Sequence, residues 1–169
     1  MYNKYIMLIM PTALRIEWPG GGRVSDQPAI TIEKVDHIGI RVRELDRALA
    51  FYRILGFELR HKVDFDDVAI IRNRSGVEIN LILNAKRDEP NILMDVPEKH
   101  AGYTHVALRV ASIAATIAVL HANGVAITQG PVSFGEDGGV SIFVRDPDRN
   151  VIELRGGNEN LSGVTGYQP

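Results

Sequence analysis

An internal repeat constrains this chain more than any other feature of its sequence. VDHIGIRV (35–42) recurs as YTHVALRV (103–110), so that His37 matches His105, Gly39 matches Ala107 and Arg41 matches Arg109, all at an offset of 68. The offset continues without a gap, setting RELDRALAFYRILGFEL (43–59) against ASIAATIAVLHANGVAI (111–127). Leu45, Leu49, Tyr52 and Leu55 in one segment, and Ile113, Ile117 and Leu120 in the other, recur at helical spacing. Asp46 and Ser112 are placed to cap the two N-termini, and Gly56 and Gly124 the two C-termini. Three strand-like runs follow each helix: 56–65, 67–73 and 76–83 in the first half; 125–134, 139–146 and 150–156 in the second, with DPDRN (146–150) as the last turn. Each half therefore reads βαβββ, and the whole as an α+β fold of two tandem modules. The expected division is an N-terminal extension (1–30), a first module (31–84), a linker (85–101), a second module (102–156) and a mobile tail (157–169).

A period of two puts His37, Gly39 and Arg41 on one face of the first strand and Ile38, Ile40 and Val42 on the other. A single strand histidine is most simply a core residue bonded to a backbone carbonyl. Repetition changes the balance, because duplicated modules build sites where their matched faces converge. In NVIELRG (150–156), Ile152 and Leu154 face the core while Glu153 takes the face of the histidine type. A buried carboxylate there needs a partner charge or a metal.

Composition narrows the chemistry. With 45% hydrophobic and 24% charged residues, 169 residues are enough for a substantial soluble core. A net charge of −2 without a basic block gives no footprint for nucleic acid or an anionic membrane. The absence of cysteine excludes disulfides, thiolate nucleophiles and thiolate zinc sites. The apolar run IMLIMPTAL (6–14) is broken by Pro11 and followed by Arg15, Glu17 and Trp18, unlike a secretory leader. No run approaches the ~20 apolar residues that span a bilayer, and a cytoplasmic protein is expected.

DHIGIRVRELDRALAFYRILGFEL (36–59), YTHVALRV (103–110) and FVRDPDRNVIEL (143–154) together resemble the vicinal oxygen chelate superfamily, the group of glyoxalase I, bleomycin-resistance proteins and extradiol dioxygenases. The likeness covers residues 31–156. It implies a U-shaped mixed sheet around one divalent metal (Ni, Zn, Mn, Co or Fe), and commonly a homodimer whose site in some members is shared between chains. Carried over, His37, His105 and Glu153 are three metal ligands. Asn80 is the preferred fourth by register with Glu153, with Glu78 the competing ligand or a nearby base. The implied activity is a glyoxalase-like lyase or isomerase moving a proton on a small vicinal-oxygen substrate, with Glu153 or Glu78 as the catalytic base. Two other readings stay open: an extradiol Fe(II) ring-cleaving dioxygenase and a non-catalytic drug-binding protein of the bleomycin-resistance type. Arg41, Arg109, Arg155 and Tyr103 are candidate substrate contacts, the arginines alternatively pairing with rim carboxylates. Phe51 and Tyr52 are expected to pack the helix, His121 to be solvated, and His61, sharing a face with Phe57, Leu59 and Val63, to be a core residue.

Overall fold

The computed structural model describes residues 30–63, 65–88, 91–133 and 137–164. The chain divides into two units between residues 34 and 35. Of the first, only residues 30–34 are described, an exposed stretch without regular structure, so the expected N-terminal extension otherwise lies outside the described residues. All that follows concerns the second unit.

Its order is β1 (Ile38–Arg41), α1 (Leu45–Ile54), β2 (Phe57–Val63), β3 (Val68–Asn73) and β4 (Glu78–Ile82), then β5 (Val106–Arg109), α2 (Ile113–Ala122), β6 (Ile127–Ser133), β7 (Val140–Arg145) and β8 (Val151–Arg155). This is βαβββ twice. Each module forms its own four-stranded mixed sheet, in the orders β1-β4-β3-β2 and β5-β8-β7-β6. The β1–β4 and β5–β8 pairs are parallel and the others antiparallel.

Alternation along the strands decides which face is covered. Ile40, Ile71, Ile79 and Leu81 of the first sheet, and Ile142, Val144, Ile152 and Leu154 of the second, are buried. They join one cluster with Leu49, Phe51 and Tyr52 of α1 and Ile113, Ile117 and Leu120 of α2. Burying each such side chain contributes about 1.5–3 kcal/mol, so the helical faces are held by the sheets. Phe51 and Tyr52 pack edge to face at 5.2 Å. Gly56 and Gly124 follow the helices with φ of 83° and 68°, a region that favours glycine.

The caps differ from expectation at one end. Glu44, not Asp46, occupies the N-cap of α1, without a side-chain hydrogen bond, and Asp46 sits in the first turn. A carboxylate there still favours the positive end of the helix dipole. Ser112 does cap α2, its Oγ accepting from Ala115 N at 3.1 Å. The same hydroxyl donates to Glu159 Oε1, while Ile113 N donates to Oε2, both at 2.6 Å. Residues 157–164 of the expected tail are thus anchored by Glu159 and by Leu161, which is fully buried.

The repeat creates two matched seams between the modules, and they are filled differently. At one, Tyr52 Oη donates to Asp146 Oδ2 (3.1 Å), Arg47 Nη2 to Pro147 O (2.7 Å), Arg43 N to Asp148 Oδ2 (3.0 Å) and Asn150 Nδ2 to Arg41 O (3.1 Å). At the other, Leu120 and Ala115 stand where Tyr52 and Arg47 would be, and an apolar crevice of about 330 Å³ remains, lined also by Phe57, Leu108 and Leu154.

Candidate metal centre

Residues opposite one another on neighbouring strands project to the same side of a sheet. In the first sheet the register aligns Gly39, Asn80, Ile70 and His61. In the second it aligns Ala107, Glu153, Phe143 and Gln129. Ile79 and Leu81, which flank Asn80, are buried in the core, so this row lies on the open face. Asn80 therefore holds in the first sheet the register position that Glu153 holds in the second. Both candidate histidines lie just ahead of their strands, which begin at Ile38 and Val106.

The second sheet assembles a connected polar group. His105 Nε2 lies 3.0 Å from Glu153 Oε2, and its ring meets Phe143 edge to face at 5.6 Å. Ser141, fully buried, donates to Glu153 Oε1 at 2.5 Å. Arg155 Nη1 donates to Ser141 Oγ at 3.1 Å, which directs the hydroxyl proton toward Glu153. The other guanidinium nitrogen binds Asp137 at 2.7 Å. The Gly139 amide and Arg155 hold the Asp137 carboxyl below the usual carboxylate range. Glu153 thus has a polar partner at each oxygen, one of them a committed hydroxyl.

The first sheet offers a matched but unspent pair. Asn80 Oδ1 is buried and has no hydrogen-bond partner among the described residues. His37 is half-exposed, with Nδ1 2.8 Å from Asp36 Oδ1. Glu78 shares the open face but is bound by Arg72, through Nε at 3.0 Å and also through Nη2. That ion pair leaves Asn80 as the uncommitted oxygen donor of this sheet. Imidazole, carboxylate and amide oxygen are donors that borderline divalent ions accept, so the residues fit such an ion. Within one chain, however, no three His, Asp or Glu side chains gather closely enough to hold a metal among the described residues. His37, Glu78, Tyr103, His105 and Arg109 line one open groove of about 600 Å³ instead.

The remaining candidates are dispersed. Arg41 donates to Asn84 Oδ1 at 2.9 Å and is exposed, as is Arg109. Arg155 is engaged by Ser141 and Asp137, and Tyr103 is almost wholly exposed. His61 is not a core residue. A β-bulge between Leu59 and His61 inserts Arg60 and turns His61 onto the open face, where it is exposed. Ser141 was not singled out from the sequence, although alternation along VSIFVR puts it on the face of Phe143 and opposite the core residue Ile142.

Two βαβββ modules, each a mixed sheet with one helix-covered and one open face, define a class of paired-module proteins. Residues 34–154 match the Glyoxalase/Bleomycin resistance protein/Dioxygenase superfamily, and the chain belongs to it. It is 31% identical over 131 residues to the glyoxalase domain-containing protein RDO1 of Mycosarcoma maydis, covering 76% of this chain and 70% of that one. Among solved structures it is similar to a glyoxalase/dioxygenase from Nostoc punctiforme (TM-score 0.60, 23% identity, 75% of this chain and 92% of the other). It is also similar to the fosfomycin resistance protein FosX from Listeria monocytogenes (TM-score 0.57, 21% identity, 75% and 95%). These structural likenesses speak for the fold. No helix among the described residues is long and apolar enough to cross a membrane.

Proposed function

We propose that the protein is a metal-dependent, glyoxalase-like lyase or isomerase whose divalent ion sits between two copies of the chain. His105 and Glu153 of one copy and His37 and Asn80 of the other would hold it. The observation that carries this reading is the matched pair of half-sites. One sheet presents His105 joined to Glu153, and the other presents Asn80 at the register of Glu153 with a buried, unspent oxygen. A homodimer is the simplest way to complete a centre for which no three His, Asp or Glu side chains gather within one chain among the described residues.

A divalent ion held there would supply Lewis acidity to adjacent oxygens of the substrate. The chain's own residues do the rest. Ser141 and Arg155 fix Glu153 as an oriented carboxylate, which suits it to ligation rather than to proton transfer. Glu78 is similarly withdrawn from a base role by Arg72. Ile70 and Phe143, central in their rows, give the open faces an apolar floor. Arg41 and Arg109, at the outer ends of β1 and β5, favour an anionic group on the substrate.

The test is complementation of metal binding. Chains carrying His37→Ala and His105→Ala each lose the ion when purified alone, with the fold retained by circular dichroism. Refolded together, they regain one intact site per mixed dimer, so metal content by mass spectrometry recovers in the heterodimer fraction. Recovery is impossible if both histidines act within one chain, and full metal content in either single variant refutes the ligand set. Turnover of a hemithioacetal under anaerobic conditions then supports the lyase reading; oxygen uptake with a catechol would replace it by the dioxygenase, and lack of any metal by a binding protein.

A further inference from the structure

From the bulges in the outer strands we infer that His61 is a substrate-contacting residue, and that the site accepts an elongated substrate with a second oxygen-bearing group, such as a carboxylate, remote from its vicinal oxygens. This rests on the metal reading above and adds the shape and chemistry of what binds there.

The β2–β3 register runs regularly from Phe57 to Leu59, skips Arg60, and resumes with His61 opposite Ile70. Without that extra residue Arg60 would stand opposite Ile70, and His61 would turn to the helix-covered face. The bulge instead places His61 in the row of Asn80, two strands away. At ~4.8 Å per strand the separation is roughly 10 Å, room for a small molecule lying along the sheet. Ile70 between them is apolar, so the row has a polar side chain at each end and an apolar middle. The imidazole makes no hydrogen bond or ion pair among the described residues, in contrast to Glu78, Arg72, Glu153 and Arg155 on the same open faces.

A lone exposed histidine on an outer strand would be unremarkable. The second module makes it otherwise. Its outer strand breaks register between Ile127 and Gln129, at the matched position, and brings Gln129 opposite Phe143 in the row of Glu153. His61 and Gln129 are themselves 68 residues apart, the offset of the repeat. Both outer strands thus carry a register break that turns a hydrogen-bonding side chain onto the open face. Bulges are a common means of re-aiming a side chain beside an active site. Imidazole, neutral or protonated, can donate to a carboxylate or carbonyl at the far end of a bound molecule.

The test uses the full chain loaded with zinc and two probes, benzohydroxamate and 4-carboxybenzohydroxamate, which share a chelating pair of vicinal oxygens and differ in a remote carboxylate. The expected result is that the carboxylated probe binds about five-fold or more tightly and shifts the His61 ring signals in NMR but not those of His121. In His61→Ala that preference falls to about one while zinc stoichiometry and benzohydroxamate affinity are unchanged, and His61→Gln retains part of it. An equal preference in the parent and His61→Ala, with His61 signals unmoved, overturns the inference and leaves the metal site standing. Failure of the parent protein to take up zinc overturns the metal reading and this inference with it.

Discussion

Replacing Ser141 by alanine removes the hydroxyl that meets Glu153 Oε1 at 2.5 Å in a buried setting. A hydrogen bond to a charged acceptor contributes about 1.5–3 kcal/mol, and leaving the acceptor bare exacts its full desolvation cost. The deleted oxygen is small, so the cavity left behind adds little. A loss of about 2 kcal/mol is expected, or ~4–8 °C in the melting midpoint of a domain of this size. Urea unfolding followed by circular dichroism measures it directly. The loss belongs to the Ser141–Glu153 contact only if it shrinks when Glu153 is already glutamine, and a double-mutant cycle should return a coupling of ~1 kcal/mol. Arg155 loses a partner as well but keeps Asp137 at 2.7 Å, which limits its share. Zinc affinity, read by competition with a chromophoric chelator, should fall about 10–100-fold, as when the support of a ligand is removed. Parent-like unfolding together with parent-like zinc affinity would refute the claim that Ser141 orients Glu153.

Tyr52→Phe severs the bond to Asp146 across the polar seam; burial and the neighbouring Asp146 push the phenol pKa far up, so it is a donor throughout the pH range of the fold. Thermal unfolding of this variant should show a loss of ~1–2 kcal/mol, since Asp146 keeps donors from Asp148 and Asn150. The Ser112 hydroxyl, and then the Ile113 amide, hold the Glu159 carboxyl below its ordinary value. A carboxyl depressed on folding lends stability that is present above its unfolded value and lost as pH falls through the folded one. The stability difference between the parent and Glu159→Gln should therefore narrow as urea midpoints are measured from about pH 5 down to about pH 2. Asn80→Ala should weaken zinc binding by about ten-fold or more in the same chelator competition, while Glu78→Gln leaves it unchanged because Arg72 already occupies that carboxylate.

Much of this architecture is written in the spacing of apolar residues. Leu49 and Tyr52, or Ile113, Ile117 and Leu120, fall on buried helix faces because a period of 3.6 and a covered sheet leave them nowhere else to go. The register of Asn80 with Glu153 was also accessible, since two aligned modules must repeat their pairing. His61 was misplaced for the complementary reason: alternation assumes an unbroken ladder, and one extra residue reverses every side chain beyond it. Ser141 carries no signal of its own in the sequence, because its role lies in a contact between strands rather than in its own neighbourhood. The α1 cap was misassigned because an aspartate in the first turn and one at the cap give the same local signal. Whether His37 meets His105 was beyond sequence altogether, since it depends on how sheet faces are brought together.

The two unlike seams bear on how the molecule can breathe. The junctions match by the repeat, but one carries a phenol, a guanidinium and an aspartate, and its counterpart has leucine and alanine. Breaking the first requires several directional bonds to fail at once, whereas the second parts by sliding apolar surfaces and admitting a few waters. The modules are in effect sewn along one margin and merely pressed together along the other. Relative motion of the halves then turns about the Tyr52–Asp146 side. A gene carrying two copies of the second half would lose the Tyr52 and Arg47 side-chain bonds of that seam, so the halves are no longer interchangeable even though they fold alike.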